Sequence, residues 1–116
     1  DRRRFTTVAT QSLWFLNDDQ IIDLTGGLSD RLFASHPIDA TKRLDKLYRK
    51  LFAIPPTDEE YRFLFDFLAR QEELFRADLN SEWQKKIKDQ PDAPKKRALA
   101  SLAQVLMASN RFLYID

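Results

Sequence analysis

The sequence is short of several residues that chemistry and tight turns require. In 116 residues it has no cysteine, two glycines, one histidine and one methionine. The lack of cysteine excludes disulfides, thiolate metal sites, covalent c-type haem attachment and a cysteine nucleophile from this chain. Because turn-rich β folds need many glycines, two glycines favour a helical fold.

A strong net charge and long apolar runs are missing as well. The chain has 19 Lys and Arg against 18 Asp and Glu, which gives a formal net charge of +1. A field strong enough to attract nucleic acid to the whole domain is therefore absent. No apolar run approaches the roughly 20 residues that cross a bilayer. We expect neither a nucleic-acid partner nor a membrane span.

The residues that are present indicate one folded domain. Hydrophobic residues make up 43% of the chain, nine of them Phe, and 32% of the residues are charged. This composition is that of a globular protein with a substantial core, and the length suits a single domain over residues 1–116. Since the chain opens on Asp1 without a methionine, we expect it to be a piece of a larger protein.

Residues 43–68 predict two helices joined by a proline turn. Apolar residues recur at the spacing of one helical face: Leu44, Leu47, Tyr48, Leu51 and Phe52. Pro55-Pro56 ends this helix because proline lacks an amide proton and disfavours helical geometry in the preceding residue. Thr57 with Glu60 forms the pattern of a capping box that begins the next helix. The short turn predicts an antiparallel helical hairpin at the centre of the fold.

Further amphipathic patterns complete an all-α, single-domain bundle of about five helices. They cover residues 6–16, 18–33, 81–87 and 93–108. Gly26-Gly27 should either break the second of these helices or admit a closely crossing backbone. Ser81 resembles a cap, and Ser109-Asn110 should end the last helix. We expect an apolar tail, residues 111–115, to dock on the core. The predicted core residues are Leu47, Leu51, Leu64, Leu68, Leu102 and Leu106.

The second helix of the hairpin should extend to Leu79, which continues its apolar side. Pro37 should stand near the start of the helix that leads into the hairpin.

Few residues suggest chemistry. His36 lies beside a proline between two helices, where an exposed and unremarkable histidine is the common case. Asp18, Asp19 and Asp23 could offer oxygen ligands to a metal, but the first two also suit a helix N-terminus. We therefore predict no catalytic residue, no metal and no cofactor in this chain.

One cluster of a single sign could bind an anion or an acidic partner. It comprises Lys85, Lys86, Lys88, Lys95, Lys96 and Arg97. Asp89 and Asp92 dilute it, and such runs are more often a solvated face. Trp14, Trp83 and the phenylalanines could line a pocket or an interface, although aromatic residues at helical spacing usually form core.

Three blocks carry a family resemblance: TTVATQSLWFLND (6–18), LYRKLFAIPPTDEE (47–60) and LAQVLMASNRFLYID (102–116). Together they resemble the C-terminal end of a planctomycete domain of unknown function, catalogued as family fifteen fifty-three. The family's usual Gly-Arg before Pro-Thr is here Ala53-Ile54, and its usual acidic residue after Ser-Asn is Arg111. The resemblance implies a large exported parent that often carries a cytochrome-c-like module, and no established activity.

Three hypotheses on function follow. The first is a non-catalytic helical packing or protein-interaction module, whose partners are upstream domains of the parent or another protein. The second is the C-terminal part of an enzyme whose catalytic residues lie upstream. The third is an anion-binding module that uses the basic cluster and loses affinity as salt rises. The resemblance implies an extracytoplasmic or cell-envelope location, and Ile115-Asp116 as the natural end of the parent.

Overall fold

A computed structural model describes the backbone of residues 18–113 and the side chains of residues 18–109. This part of the chain forms five α-helices: α1 (Asp19–Ser35), α2 (Ala40–Phe52), α3 (Asp58–Ala77), α4 (Ser81–Asp89) and α5 (Ala93–Leu113). It contains no β-strand. The predicted all-α bundle of about five helices is therefore confirmed. The helix predicted over residues 6–16 lies outside the described residues.

The first four helices each begin with a side-chain cap that satisfies an otherwise free backbone amide. The caps are Asp18, Asp39, Thr57 and Asn80. At α3 the predicted capping box is complete, since the Thr57 hydroxyl accepts from the Glu60 amide at 3.1 Å and the Glu60 carboxylate accepts from the Thr57 amide at 2.8 Å.

Two predicted helix starts were wrong, by one residue at α4 and by two residues at α2. The cap of α4 is Asn80, whose side chain accepts from the Trp83 amide at 2.9 Å, and not Ser81. Pro37 lies in the linker before α2 and not in its first turn, because Asp39 caps that helix through the Lys42 amide at 3.0 Å. In both cases a neighbouring Asn or Asp, which caps as well as Ser does, accepts from the free amide at the helix start.

The predicted turn between α2 and α3 is confirmed. The helix ends at Phe52, and Ala53 adopts a left-handed conformation with φ 65° and ψ 4°. Its amide still donates to the Arg49 carbonyl oxygen at 2.8 Å. The chain then passes through Pro55 and Pro56 before α3 begins.

Helix α5, and not the predicted hairpin, lies at the centre of the packing. It packs against all four other described helices, and α2 and α3 each make their larger interface with α5. A direct link between α2 and α3 is the hydrogen bond that the Tyr61 hydroxyl donates to Asp45 Oδ1 at 3.1 Å. Leucines on one side of α5 and small residues on the others give it apolar surface almost all round, which is typical of a buried helix. Its buried small residues include Ala98, Ala100, Ala103 and Ala108.

Four of the six predicted core leucines are completely buried: Leu47, Leu64, Leu102 and Leu106. Leu51 and Leu68 are half-buried and pack against the edge of this core. Leu79 was predicted to continue the apolar side of α3, but α3 ends at Ala77 and Leu79 is 87% exposed. The Asp78 backbone is extended, so the chain turns away from the core before Leu79.

Two predicted helix breaks do not occur. Helix α1 runs through Gly26-Gly27 without interruption, and no neighbouring backbone lies where a Cβ of either glycine would be. Helix α5 runs through Ser109 and Asn110 to Leu113, because Ser and Asn reduce helix stability only slightly and Ser109 is buried. The predicted docking of the apolar tail depends on side chains outside the described residues.

Candidate functional site: a basic cleft beside α5

A cleft of about 500 Å³ opens between α1, α4 and α5, with the end of α3 at its side. We call it the α1–α5 cleft. Its lining comes from α1 (Ile22, Gly26, Ser29, Asp30), α3 (Phe75), α4 (Trp83, Lys86), the α4–α5 linker (Gln90) and α5 (Ala93, Lys96, Arg97, Ala100, Ser101, Gln104). Cationic, aromatic and hydrogen-bonding side chains therefore share one surface depression.

Helix α4 forms one wall and is fixed to the end of α3. The Trp83 indole nitrogen donates to the Phe75 carbonyl oxygen at 2.6 Å, and the two rings pack edge to face with centroids 6.4 Å apart. The Gln84 amide nitrogen donates to the Asp78 carbonyl oxygen at 2.6 Å. These bonds position α4 even though none of its residues is fully buried.

The Arg97 guanidinium is held by the two aromatic rings of this wall. Its central carbon lies 4.4 Å from the Phe75 ring centroid and 4.8 Å from that of Trp83. A cation over an aromatic face is attracted by the ring quadrupole, and this contact limits the conformations that the long side chain adopts. Arg97 is thus a positioned cation at the edge of the cleft.

Hydrogen bonds join α1 to α5 beside the cleft. The buried Ser29 hydroxyl donates to the Lys96 carbonyl oxygen at 2.7 Å, and the Gln104 amide nitrogen donates to the buried Thr25 hydroxyl at 3.2 Å. Apart from the adjoining residues and backbone of α1 itself, no atom lies within 4 Å of the position that a Cβ of Gly26 would take. The cleft is therefore open above Gly26, and a side chain at this position would enter it.

The charge of the cleft is mainly positive. Lys86, Lys96 and Arg97 line it against a single carboxylate, Asp30. Elsewhere on the described surface, several cations are paired within one helix, as in the Arg49–Asp45 ion pair at 2.9 Å and the Arg76–Glu72 pair at 2.8 Å. None of the three cleft cations has an ion-pair partner among the described side chains.

The structure divides the predicted basic cluster. Lys86, Lys96 and Arg97 meet in the cleft, whereas Lys95 lines a second cavity on another side of α5. Lys85 lies 3.8 Å from Glu82 in an exposed ion pair, and Lys88 is exposed and lines neither cavity. Aromatic residues at helical spacing usually form core, but Trp83 is half-buried and lines the cleft.

Asp18, Asp19 and His36, which were also candidates for a site, lie outside the cleft. Asp18 caps α1 through the Gln20 amide at 2.8 Å, and Asp19 lies in the first turn. His36 lies between α1 and α2 as predicted, but it is half-buried and not exposed, because the linker folds over the Arg43 side chain that donates to its carbonyl oxygen at 2.6 Å. Over the described residues, no three His, Asp or Glu side chains converge in a way that could hold a metal ion.

Sequence reasoning missed the α1 side of the cleft. Gly26 and Asp30 are between 55 and 71 residues from the members of the basic cluster in the chain, and a single sequence carries no signal that joins them. Gly26 did stand out in the sequence as a glycine inside a helix, and the structure shows open space where its Cβ would lie. The burial of Arg43 could have been predicted, because Arg43 precedes Leu47 by four residues and so lies on the apolar face of α2.

Comparison with known proteins gave no match to a family model, to a curated protein or to a solved structure. The resemblance to the planctomycete family therefore stays a prediction. Among helices α1 to α5, none combines the length and the apolar character that crossing a membrane requires.

Proposed function

We propose that this chain is a non-catalytic protein-interaction module that binds an acidic segment of a protein partner in the α1–α5 cleft. The observation that carries the proposal is the convergence of Lys86, Lys96 and Arg97 on one cleft without carboxylate partners of their own among the described residues. Complementary charge steers a partner into register and raises the rate of association.

The lining suits a peptide better than a nucleic acid. The cleft adds two amides, two hydroxyls and two aromatic rings to its cations, and peptide backbones and side chains use all of these contacts. Nucleic acid is bound mainly through many phosphate contacts, which need an extended basic surface. With a net charge of +1 and three cations in the cleft, the chain offers little of that surface.

The origin of the acidic segment follows from the resemblance. A parent with several domains would supply it from an upstream domain, and an exported parent would place the module outside the cytoplasm. Both statements belong to the proposal and rest on the three resembling blocks alone.

Binding of a fluorescent deca-glutamate peptide, followed by anisotropy, tests the proposal. Replacing Lys86, Lys96 and Arg97 by Gln should weaken binding by about tenfold or more, which corresponds to at least about 1.4 kcal/mol. The matched control replaces three exposed cations on one face of α2, Lys42, Lys46 and Lys50, by Gln. This control changes the net charge equally and should leave affinity within about twofold.

Equal losses in the two triple variants would contradict the proposal, because they would indicate attraction by overall charge. Tighter binding of single-stranded DNA than of the peptide, with the same dependence on the cleft cations, would contradict it too and would assign the cleft to nucleic acid.

A steric variant tests the cleft without changing its charge. Gly26→Leu places a side chain in the open space of the cleft and should abolish peptide binding while the helix becomes more stable. Gly27→Leu is the matched control, since Gly27 does not line the cleft and its new Cβ would meet only the flexible end of Arg31 at 3.4 Å. Unchanged binding by Gly26→Leu would show that the peptide binds elsewhere.

A further inference from the structure

A second cavity, of about 230 Å³, lies between α2, α3 and α5, with Phe33 at the end of α1 in its lining. We call it the Arg43 pocket. Its apolar lining includes Phe33, Phe65, Leu68, Ala98 and Leu99. The charged residues of its lining are Arg43, Lys95 and Glu72.

The Arg43 side chain is unusual because it is a buried cation. Only 8% of the residue is exposed. One of its terminal nitrogens donates to the His36 carbonyl oxygen at 2.6 Å, and its guanidinium carbon lies 3.8 Å from the Phe33 ring centroid. No carboxylate of the described residues forms an ion pair with it, although a buried charge is normally paired.

The charged groups around Arg43 do not neutralise its positive charge, so an anion could pair with it. Burial lowers the pKa of Arg43, while the more distant carboxylates of Asp92 and Asp39 oppose that change, and the group stays cationic at neutral pH. Glu72 is held by Arg76, whose nitrogen lies 2.8 Å from its carboxylate. Lys95 adds a second positive charge to the lining. The guanidinium has five N–H donors, and the structure gives a partner to one.

From this combination we infer that the Arg43 pocket binds a small monocarboxylate with an apolar body, whose carboxylate pairs with Arg43 and whose hydrocarbon part occupies the apolar lining. Guanidinium and carboxylate match as a two-bond pair, and such pairs are strongest where water is excluded. The pocket volume suits a chain of about six carbons better than a drug-sized molecule, since larger ligand pockets start at roughly 300 Å³. This inference concerns a different cavity and does not depend on the proposed function.

An NMR titration of the whole chain with hexanoate tests the inference. Hexanoate should bind with a dissociation constant of about 1 mM or tighter, and the amides of Ala98, Leu99 and Ala69 should shift. Hexanol has the same hydrocarbon part without the charge, and it should bind at least about tenfold more weakly. Hexylammonium should not bind. Equal affinity for hexanoate and hexanol, or no binding of hexanoate at about 20 mM, would overturn the inference.

Variants then locate the site. Arg43→Gln removes the charge and should eliminate the preference for hexanoate over hexanol. Because this change is in the core and could unfold the chain, a second variant acts at the rim: Ala69→Leu narrows the pocket from an exposed position and should reduce hexanoate binding about tenfold or more. Ala34→Leu, at an exposed position of α1 outside both cavities, is its control. Equal binding by the Ala69→Leu and Ala34→Leu variants would overturn the assignment of the site.

Discussion

At the scale of single residues, Ala53 has a strained backbone conformation where α2 ends. It is the one described residue other than glycine with a positive φ, at 65°. An L-residue with a Cβ is disfavoured in this left-handed conformation, which glycine adopts readily. Because glycine has no Cβ, the strain at this position comes from the alanine side chain.

Ala53→Gly should therefore raise the free energy of unfolding by about 1 kcal/mol, measured by urea denaturation. The control is Ala69→Gly, at an exposed position inside α3, where glycine should lower stability by about the same amount. A loss of stability in both variants would mean that the left-handed cap is not formed in solution.

The capping box of α3 permits a second test at this scale. Thr57→Ala removes the hydroxyl that accepts from the Glu60 amide and should lower the free energy of unfolding by about 1 kcal/mol. Thr41→Ala, an exposed threonine inside the first turn of α2, should change it by less than about 0.5 kcal/mol. Equal effects of the two substitutions would contradict a capping role for Thr57.

At the scale of helices, features that depend on residues close in sequence could be predicted, whereas the arrangement of the helices could not. The capping box and the proline turn follow from interactions between residues a few positions apart, so Thr57 and Pro55-Pro56 could be interpreted from sequence. The central place of α5 depends on which helices meet, and the amphipathic pattern of α2 was as clear as that of α5. Lys86, Lys96 and Arg97 could be grouped because their helices are adjacent in the chain, whereas Asp30 could not.

Leu106 and Leu51 test the difference between the centre of the core and its edge. Leu106 on α5 is fully buried, and Leu106→Ala should cost about 2–5 kcal/mol of unfolding free energy. Leu51 on α2 is half-buried at the edge, so Leu51→Ala should cost less, about 1–2 kcal/mol. A larger effect at Leu51 than at Leu106, measured by chemical denaturation, would contradict the burial of these two side chains in the structure.

The bond between Tyr61 and Asp45 makes the link between α2 and α3 sensitive to high pH. Burial, and then the hydrogen bond to the Asp45 carboxylate, raise the pKa of Tyr61 above its usual value near 10. Because the unfolded chain then loses this proton first, the contribution to stability is complete below pH 10 and falls as pH rises through the folded-state pKa.

Tyr61→Phe should remove that part of the decline in stability, and NMR of the labelled tyrosine ring should report the raised pKa directly. A titration of Tyr61 at its ordinary value would contradict the bond.

At the scale of the whole molecule, α5 supports two different surfaces. On one side, Lys96 and Arg97 contribute to the α1–α5 cleft, and on another Lys95 and Leu99 line the Arg43 pocket. A helix that packs against all of its neighbours holds both sets of side chains at fixed positions. Ligands at the two sites should therefore act independently, unless they alter the packing of α5 itself.

The proposal that the α1–α5 cleft binds an acidic segment is tested most directly by mapping the residues that such a peptide contacts. In a two-dimensional NMR titration with deca-glutamate, the largest shifts should occur at the Trp83 indole N–H and at the backbone amides of Gly26 and Ser101, all in the α1–α5 cleft. Shifts concentrated on the exposed α2 lysines, or spread evenly over the surface, would contradict the cleft as the interaction site.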